Sequence, residues 1–185
     1  MIKDLLNETE EAMQKAVEAL RIDLMAIRTG RASPSLVERL SVEYYGMFVP
    51  LSQLAAISAP EPRLLVIRPY NQGDIGTIEK AILKSELGLT PNNDGKLIRL
   101  TIPRLTEERR RELVKVVKHR VEEGRVAVRN VRRRAMDDLR DSQKDGLIPE
   151  DDMYRGKDEI QELADRLVAE IDGLGERKEA EVMEV

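Results

Sequence analysis

Apolar residues recur over the first thirty positions as Leu6, Met13, Val17, Leu20, Leu24 and Ile27, spaced by seven, four, three, four and three, with charges between them. That spacing predicts an amphipathic helix over residues 2–29 with one seam, and Gly30 stands where a left-handed C-terminal cap belongs. A second seam, Val114, Val117, Val121, Gly124, Val128, Val131 and Ala135, alternates steps of three and four. Its helix starts behind Thr106, an N-cap residue type, carries Glu107 and Glu108 in its first turn, and runs to Lys144-Asp-Gly146. A third helix starts near Pro149, whose missing donor suits a first turn, with Glu150, Asp151 and Asp152 as early negative charge. Ile160, Leu163, Leu167, Ile171 and Leu174 form its stripe. Three helices with one seam each bury those seams most simply against one another, which predicts an antiparallel three-helix bundle.

Between residues 34 and 103 the pattern changes. Seven of the eight prolines fall there, punctuating short β-rich runs such as Ser41-Val-Glu-Tyr-Tyr45, Leu64-Leu-Val-Ile67 and Leu97-Ile-Arg-Leu-Thr-Ile102. Helical spacing returns only from Asp74 to Leu87, closed by Gly88. The fold class is therefore α+β with two domains: a bundle made of 1–30 and 105–185, and a small β/α/β domain of 31–104 inserted into it. Arg31, Ala32, Ser33 and Pro34 leave the bundle, and Pro103, Arg104 and Leu105 return to it. These two connections, near 31–34 and 103–105, are read as hinges, because domains joined this way move relative to one another by default.

Composition narrows the class. The chain has 41% hydrophobic and 36% charged residues, four tyrosines, one phenylalanine and no tryptophan, which fits long charged helices around a modest core. No cysteine is present, so disulfides, thiolate metal sites and cysteine nucleophiles are excluded, in keeping with a reducing, cytoplasmic setting. No run approaches the roughly 18 apolar residues of a membrane span, so no membrane partner is expected. Asn7-Glu8-Thr9 matches a glycosylation sequon, read as a chance match. Phosphate-loop, dinucleotide, nucleophile-elbow and zinc-helix motifs are all missing. The only histidine, His119, reads as a surface or seam-edge residue, and the acidic run Glu150–Asp152 as a helix start rather than a magnesium site. No enzyme activity, cofactor or metal is expected.

The net charge of −4 conceals an asymmetry. Residues 1–103 carry 12 basic and 13 acidic groups, residues 104–134 carry 12 and 5, and residues 135–185 carry 7 and 17. Within the basic block Arg111, Lys115, Lys118, Arg125, Arg129 and Arg132 form a row interrupted only by Glu122, about 100° round the helix from the valine seam and roughly 32 Å long. Arg133 and Arg134 crowd beside it. Like charges on one face call for an external anion, and arginine forks match phosphates in pairs. With so few aromatics to stack on bases, the row points to backbone and shape recognition of structured RNA.

Read together, six segments resemble the bacterial ribosome recycling factor family over essentially the whole chain: Ile27-Arg-Thr-Gly-Arg-Ala-Ser-Pro-Ser35, Val42-Glu-Tyr-Tyr-Gly46, Pro50-Leu-Ser-Gln-Leu-Ala55, Leu87-Gly-Leu-Thr-Pro-Asn92, Leu105-Thr-Glu-Glu-Arg-Arg110 and Val126-Ala-Val-Arg-Asn-Val-Arg-Arg133. The resemblance implies an L-shaped, tRNA-like outline and a non-catalytic factor that acts after translation termination; two domains with buried seams do not require an oligomer, so a monomer is expected. The resemblance also implies binding to large-subunit ribosomal RNA, and subunit splitting and release from mRNA with GTP-bound elongation factor G. The family's RNA-contacting arginines map onto Arg110, Arg129 and Arg132, with Arg28 and Arg31 toward the elbow; the stripe itself adds Arg125 and Arg133. Gly156, Gly173 and Gly175 fall inside the third helix, where each costs roughly 0.5–1 kcal/mol against alanine, so the end of that helix is expected to fray. Met47-Phe48 gives a hairpin an unusually apolar tip. Two other classes would fit the residues alone: a nucleic-acid-binding regulator with a coiled-coil body, using the same stripe, and an enzyme with an unrecognised site in the small domain.

Overall fold

In the computed structural model, which describes residues 1–184, the protein is α+β and divides into two compact units, Met1–Arg28 with Thr106–Val185 and Thr29–Leu105. The first unit holds three helices, α1 (Ile2–Met25), α3 (Glu107–Lys144) and α4 (Glu150–Met183). Each helix exists because an apolar arc needs covering. Met13, Val17, Leu20 and Leu24 of α1, Val117, Val121 and Val128 of α3, and Ile160, Leu167 and Ile171 of α4 share one core. The second unit holds β1 (Ser41–Tyr44), β2 (Met47–Pro50), β3 (Ala55–Glu61), β4 (Leu64–Pro69), α2 (Ile75–Lys84), β5 (Pro91–Asn93) and β6 (Ile98–Thr101).

Several boundaries differ from the sequence expectation, each for a local reason. The first helix stops at Met25 with Ala26 as its cap, so Gly30 does not cap it. Gly30 takes φ +75° four residues later, where a Cβ would lie 3.2 Å from Leu105 Cγ. The α3 arc buries Leu113, Val117, Val121, Gly124, Val128, Ala135 and Leu139, while Val114 and Val131 are only half-buried. A helix packed against two neighbours buries a wide arc instead of a line, so the heptad list misses its margins. Thr106 does cap α3, its Oγ1 accepting from the Arg109 amide at 3.1 Å. At the other end Gly146, at φ +69°, donates to Gln143 O at 3.0 Å, a glycine-closed C-terminus.

Pro149 lies just outside α4 as its N-cap, not within its first turn. Beyond it α4 runs unbroken through all three glycines to Met183, so the expected fraying is absent from the described residues. Packing explains two of them. A Cβ on Gly175 would sit 2.6 Å from Val121 Cγ2, and one on Gly156 would sit 3.0 Å from Leu139 Cδ1. These glycines let α3 and α4 approach, and the contact offsets their conformational cost. At Gly173 the space holds only the end of Arg177 at 3.6 Å.

In the small unit β1 and β2 form a hairpin, and β3-β4-β6-β5 form a second sheet, antiparallel throughout. Alternation puts Leu65 and Ile67 of β4 and Ile98 and Leu100 of β6 inward, against Ile78 and Ile82 of α2. Consecutive left-handed residues Tyr45 (φ 49°) and Gly46 (φ 78°) turn the hairpin, leaving Met47 and Phe48 exposed beside them. α2 ends at Lys84, short of Gly88, because the Ser85 hydroxyl donates to Ile82 O at 2.6 Å and its backbone turns extended.

Candidate nucleic-acid interface

Because α3 is one continuous helix, residues 125, 129 and 132 are brought onto one side of it, with Arg133 on the flank. Their neighbours differ. Arg125 is half-buried, and all three of its guanidinium nitrogens are engaged: Nε donates to Asp172 Oδ1 at 2.7 Å, Nη2 meets the same oxygen at 2.5 Å, and Nη1 donates to Glu122 at 3.1 Å. Those hydrogen bonds, to Asp172 first and Glu122 second, raise its pKa above the ordinary arginine value. Glu122 turns its other oxygen to Arg129 Nη1 at 3.3 Å. Arg132 Nη1 donates to the side-chain carbonyl of Gln161 at 3.1 Å, and Gln161 in turn donates to Asp165 at 2.8 Å. Arg133 and Arg134 are exposed and make no ion pair among the described residues.

In the N-terminal half of the row Arg111 is locally neutralised, as are the cations flanking the row. Arg111 pairs with Glu107 at 2.5 Å, Arg109 with Glu112 at 2.9 Å, and His119 and Arg120 share Glu123 at 2.7 and 3.3 Å. Lys115 and Lys118 are exposed. Arg110 is half-buried in the first turns of α3, about 28 Å along the helix from Arg129. Arg28 is exposed beyond the end of α1 in the first unit, whereas Arg31 is exposed in the second.

What the basic stripe alone did not reveal is its set of partners on α4. Gln161, Asp165 and Asp172 each follow a buried α4 residue, Ile160, Ala164 and Ile171, by one position. That offset puts them on the rim of the α4 seam, within reach of α3, and is the signal that could have found them. Glu122, which looked like an interruption, is the carboxylate that links Arg125 to Arg129.

Such a surface can hold polyanion phosphates. Arg129 and Arg132 are each fixed through Nη1 and keep Nε and Nη2 for an outside acceptor. Among the described residues no group of three or more His, Cys, Asp or Glu side chains could hold a metal ion. No helix there is long and apolar enough to cross a membrane.

A family model described as ribosome recycling factor matches residues 20–183. The ribosome-recycling factors of Chloroflexus aggregans and Roseiflexus castenholzii are 58% and 57% identical to this chain, each over the full length of both sequences. A solution structure of a ribosome recycling factor aligns with a TM-score of 0.74 at 46% identity, over 100% of this chain and 98% of that one. Another solved structure sets the T. thermophilus ribosome recycling factor and E. coli elongation factor G on the E. coli post-termination complex; its recycling factor aligns over 100% of both chains with a TM-score of 0.63 at 47% identity.

Proposed function

The chain belongs to the ribosome recycling factor family, and on that premise we propose that it binds the post-termination ribosome and, with elongation factor G and GTP, promotes splitting into subunits and release from mRNA. The observation that carries this reading is the arginine face of α3, where Arg129 and Arg132 are oriented by neighbours yet keep donors for phosphate, and Arg133 is unpaired among the described residues. These three grip the backbone of large-subunit ribosomal RNA, with Arg110, Arg28 and Arg31 extending the contact. Arg125, engaged at all three nitrogens by Asp172 and Glu122, contributes rigidity to the same face.

The factor acts by position and not by bond chemistry, in the cytoplasm where the ribosomes are, and as a monomer. The bundle anchors on RNA, the connections 31–34 and 103–105 serve as hinges, and the small unit swings when the GTPase pushes. Light scattering of post-termination ribosomes, with this protein, elongation factor G or GTP left out in turn, tests it. A fall in scattering that needs all three components is expected; a fall indifferent to this protein would refute the reading.

A further inference from the structure

Between α3 and α4, beside the Arg132–Gln161 contact, lies a groove of about 440 Å³. Its α3 wall carries Arg132, Arg133 and Arg140, and its α4 wall carries Lys157. Two carboxylates also line it. Asp137 is taken up by Arg140 at 3.1 Å, so that pair cancels. Arg132, Arg133 and Lys157 then face a single remaining carboxylate, Asp158. Neither Arg133, Lys157 nor Asp158 makes an ion pair among the described residues. The Lys157 ammonium lies 5.5 Å from the centre of the Tyr154 ring, a contact that steadies a cation without neutralising it.

We propose that this groove is a phosphate site in which Lys157 of α4 joins Arg132 and Arg133 of α3, so that an RNA backbone is held between two helices instead of along α3 alone. The inference rests on the RNA-facing reading of α3. A phosphodiester presents two diverging charged oxygens and so can meet a cation from each of two walls. An anionic polymer suits it better than a single ion, because the groove continues the α3 arginine row and is open along one side. Asp158 opposes the site and sets a ceiling on its affinity.

The full-length protein and its Lys157→Gln, Lys157→Arg, Asp158→Asn and Arg132→Ala variants are titrated against large ribosomal subunits at several salt concentrations. Lys157→Gln should bind about five- to tenfold more weakly near 0.1 M salt, with a salt slope shallower by about one. Lys157→Arg should retain affinity, and Asp158→Asn should gain about two- to threefold by the same electrostatic argument. A purely structural lysine would not move the slope, and melting curves of the variants check that the fold is kept. Unchanged binding of Lys157→Gln, with Arg132→Ala weakened, would overturn the two-walled site while leaving the α3 reading intact. Unchanged binding of both variants, or no binding by the parent protein, would overturn the reading and this inference together. Tight capture of inorganic phosphate alone, seen by calorimetry, would make the groove a small-anion pocket and also overturn it.

Discussion

Arg125 and Arg132 sit two turns apart on one helix, yet they answer to different chemistry. At Arg125 the helices are close: Gly175 lies under Val121, and a Cβ on Gly124 would be 3.6 Å from Ile171 Cδ1. This approach brings the carboxylate of Asp172, next to Ile171, onto the guanidinium at 2.7 Å. At Arg132 the acceptor is the neutral amide of Gln161, and a groove opens alongside. A carboxylate orients a cation and cancels it, whereas an amide orients the cation and leaves its charge for a visitor. A row of identical residues can therefore be scaffold at one end and binding surface at the other, and the acceptor across the helix interface decides which.

The largest test of this contrast is Arg132→Ala, expected to lower ribosome affinity about 10- to 100-fold, the range for losing a charge-assisted contact of about 1.5–3 kcal/mol. Its melting temperature should fall only slightly, since the half-buried Arg132 gives up one hydrogen bond to a neutral amide, worth about 0.5–1.5 kcal/mol. Equal effects on binding and melting would break the contrast. Gly175→Ala acts on the other end. Val121 is stiff at χ1 and cannot step aside, so overpacking by about 1–3 kcal/mol should outweigh the roughly 1 kcal/mol that alanine adds to helix propensity. A lowered melting temperature is expected, with a milder drop for Gly156→Ala, where the flexible end of Leu139 is the neighbour.

Arg125→Ala should come next, costing stability on the order of 0.5–1 kcal/mol with less than about a threefold loss of ribosome affinity, the inverse of Arg132→Ala. The smallest effect belongs to Asp94, which pairs with Arg99 at 2.8 Å in the small unit and serves as a control away from α3. The amides of Leu97 and Lys96, then Arg99, hold its pKa down to about 2 from an ordinary 3.8. Because the folded value is the lower one, its stabilisation is complete above the ordinary value and disappears as pH falls toward 2. Asp94→Asn should therefore flatten the acid limb of melting temperature against pH and leave ribosome binding untouched.

Much of this was legible in the chain. The apolar intervals of α1, α3 and α4 marked the bundle, since a seam that must be buried leaves a period in the sequence. Thr106 and Gly146 marked the ends of α3 by their cap chemistry. Gly30 and Gly88 misled, because a glycine reports a left-handed residue and not which element it follows. Strands β2 and β5, short and proline-bearing, and β3, proline-bearing with mostly exposed residues, left weaker traces. For the site, the arginine row showed where cations lie but not which are cancelled. That depends on Asp172, Asp165 and Gln161, distant in sequence and placed only by the packing of α4 on α3.

The insertion of the small unit between α1 and α3 bears on how the chain is born. Synthesis delivers α1 first, and its seam of Met13, Val17, Leu20 and Leu24 then waits while the whole of 29–105 emerges, a segment whose core closes on itself. The small unit can reach its final form before the bundle has a second helix. The apolar flank of α1 finds its bundle partners only when α3 and α4 arrive, so the earliest helix of the bundle is the one with longest to wait for shelter.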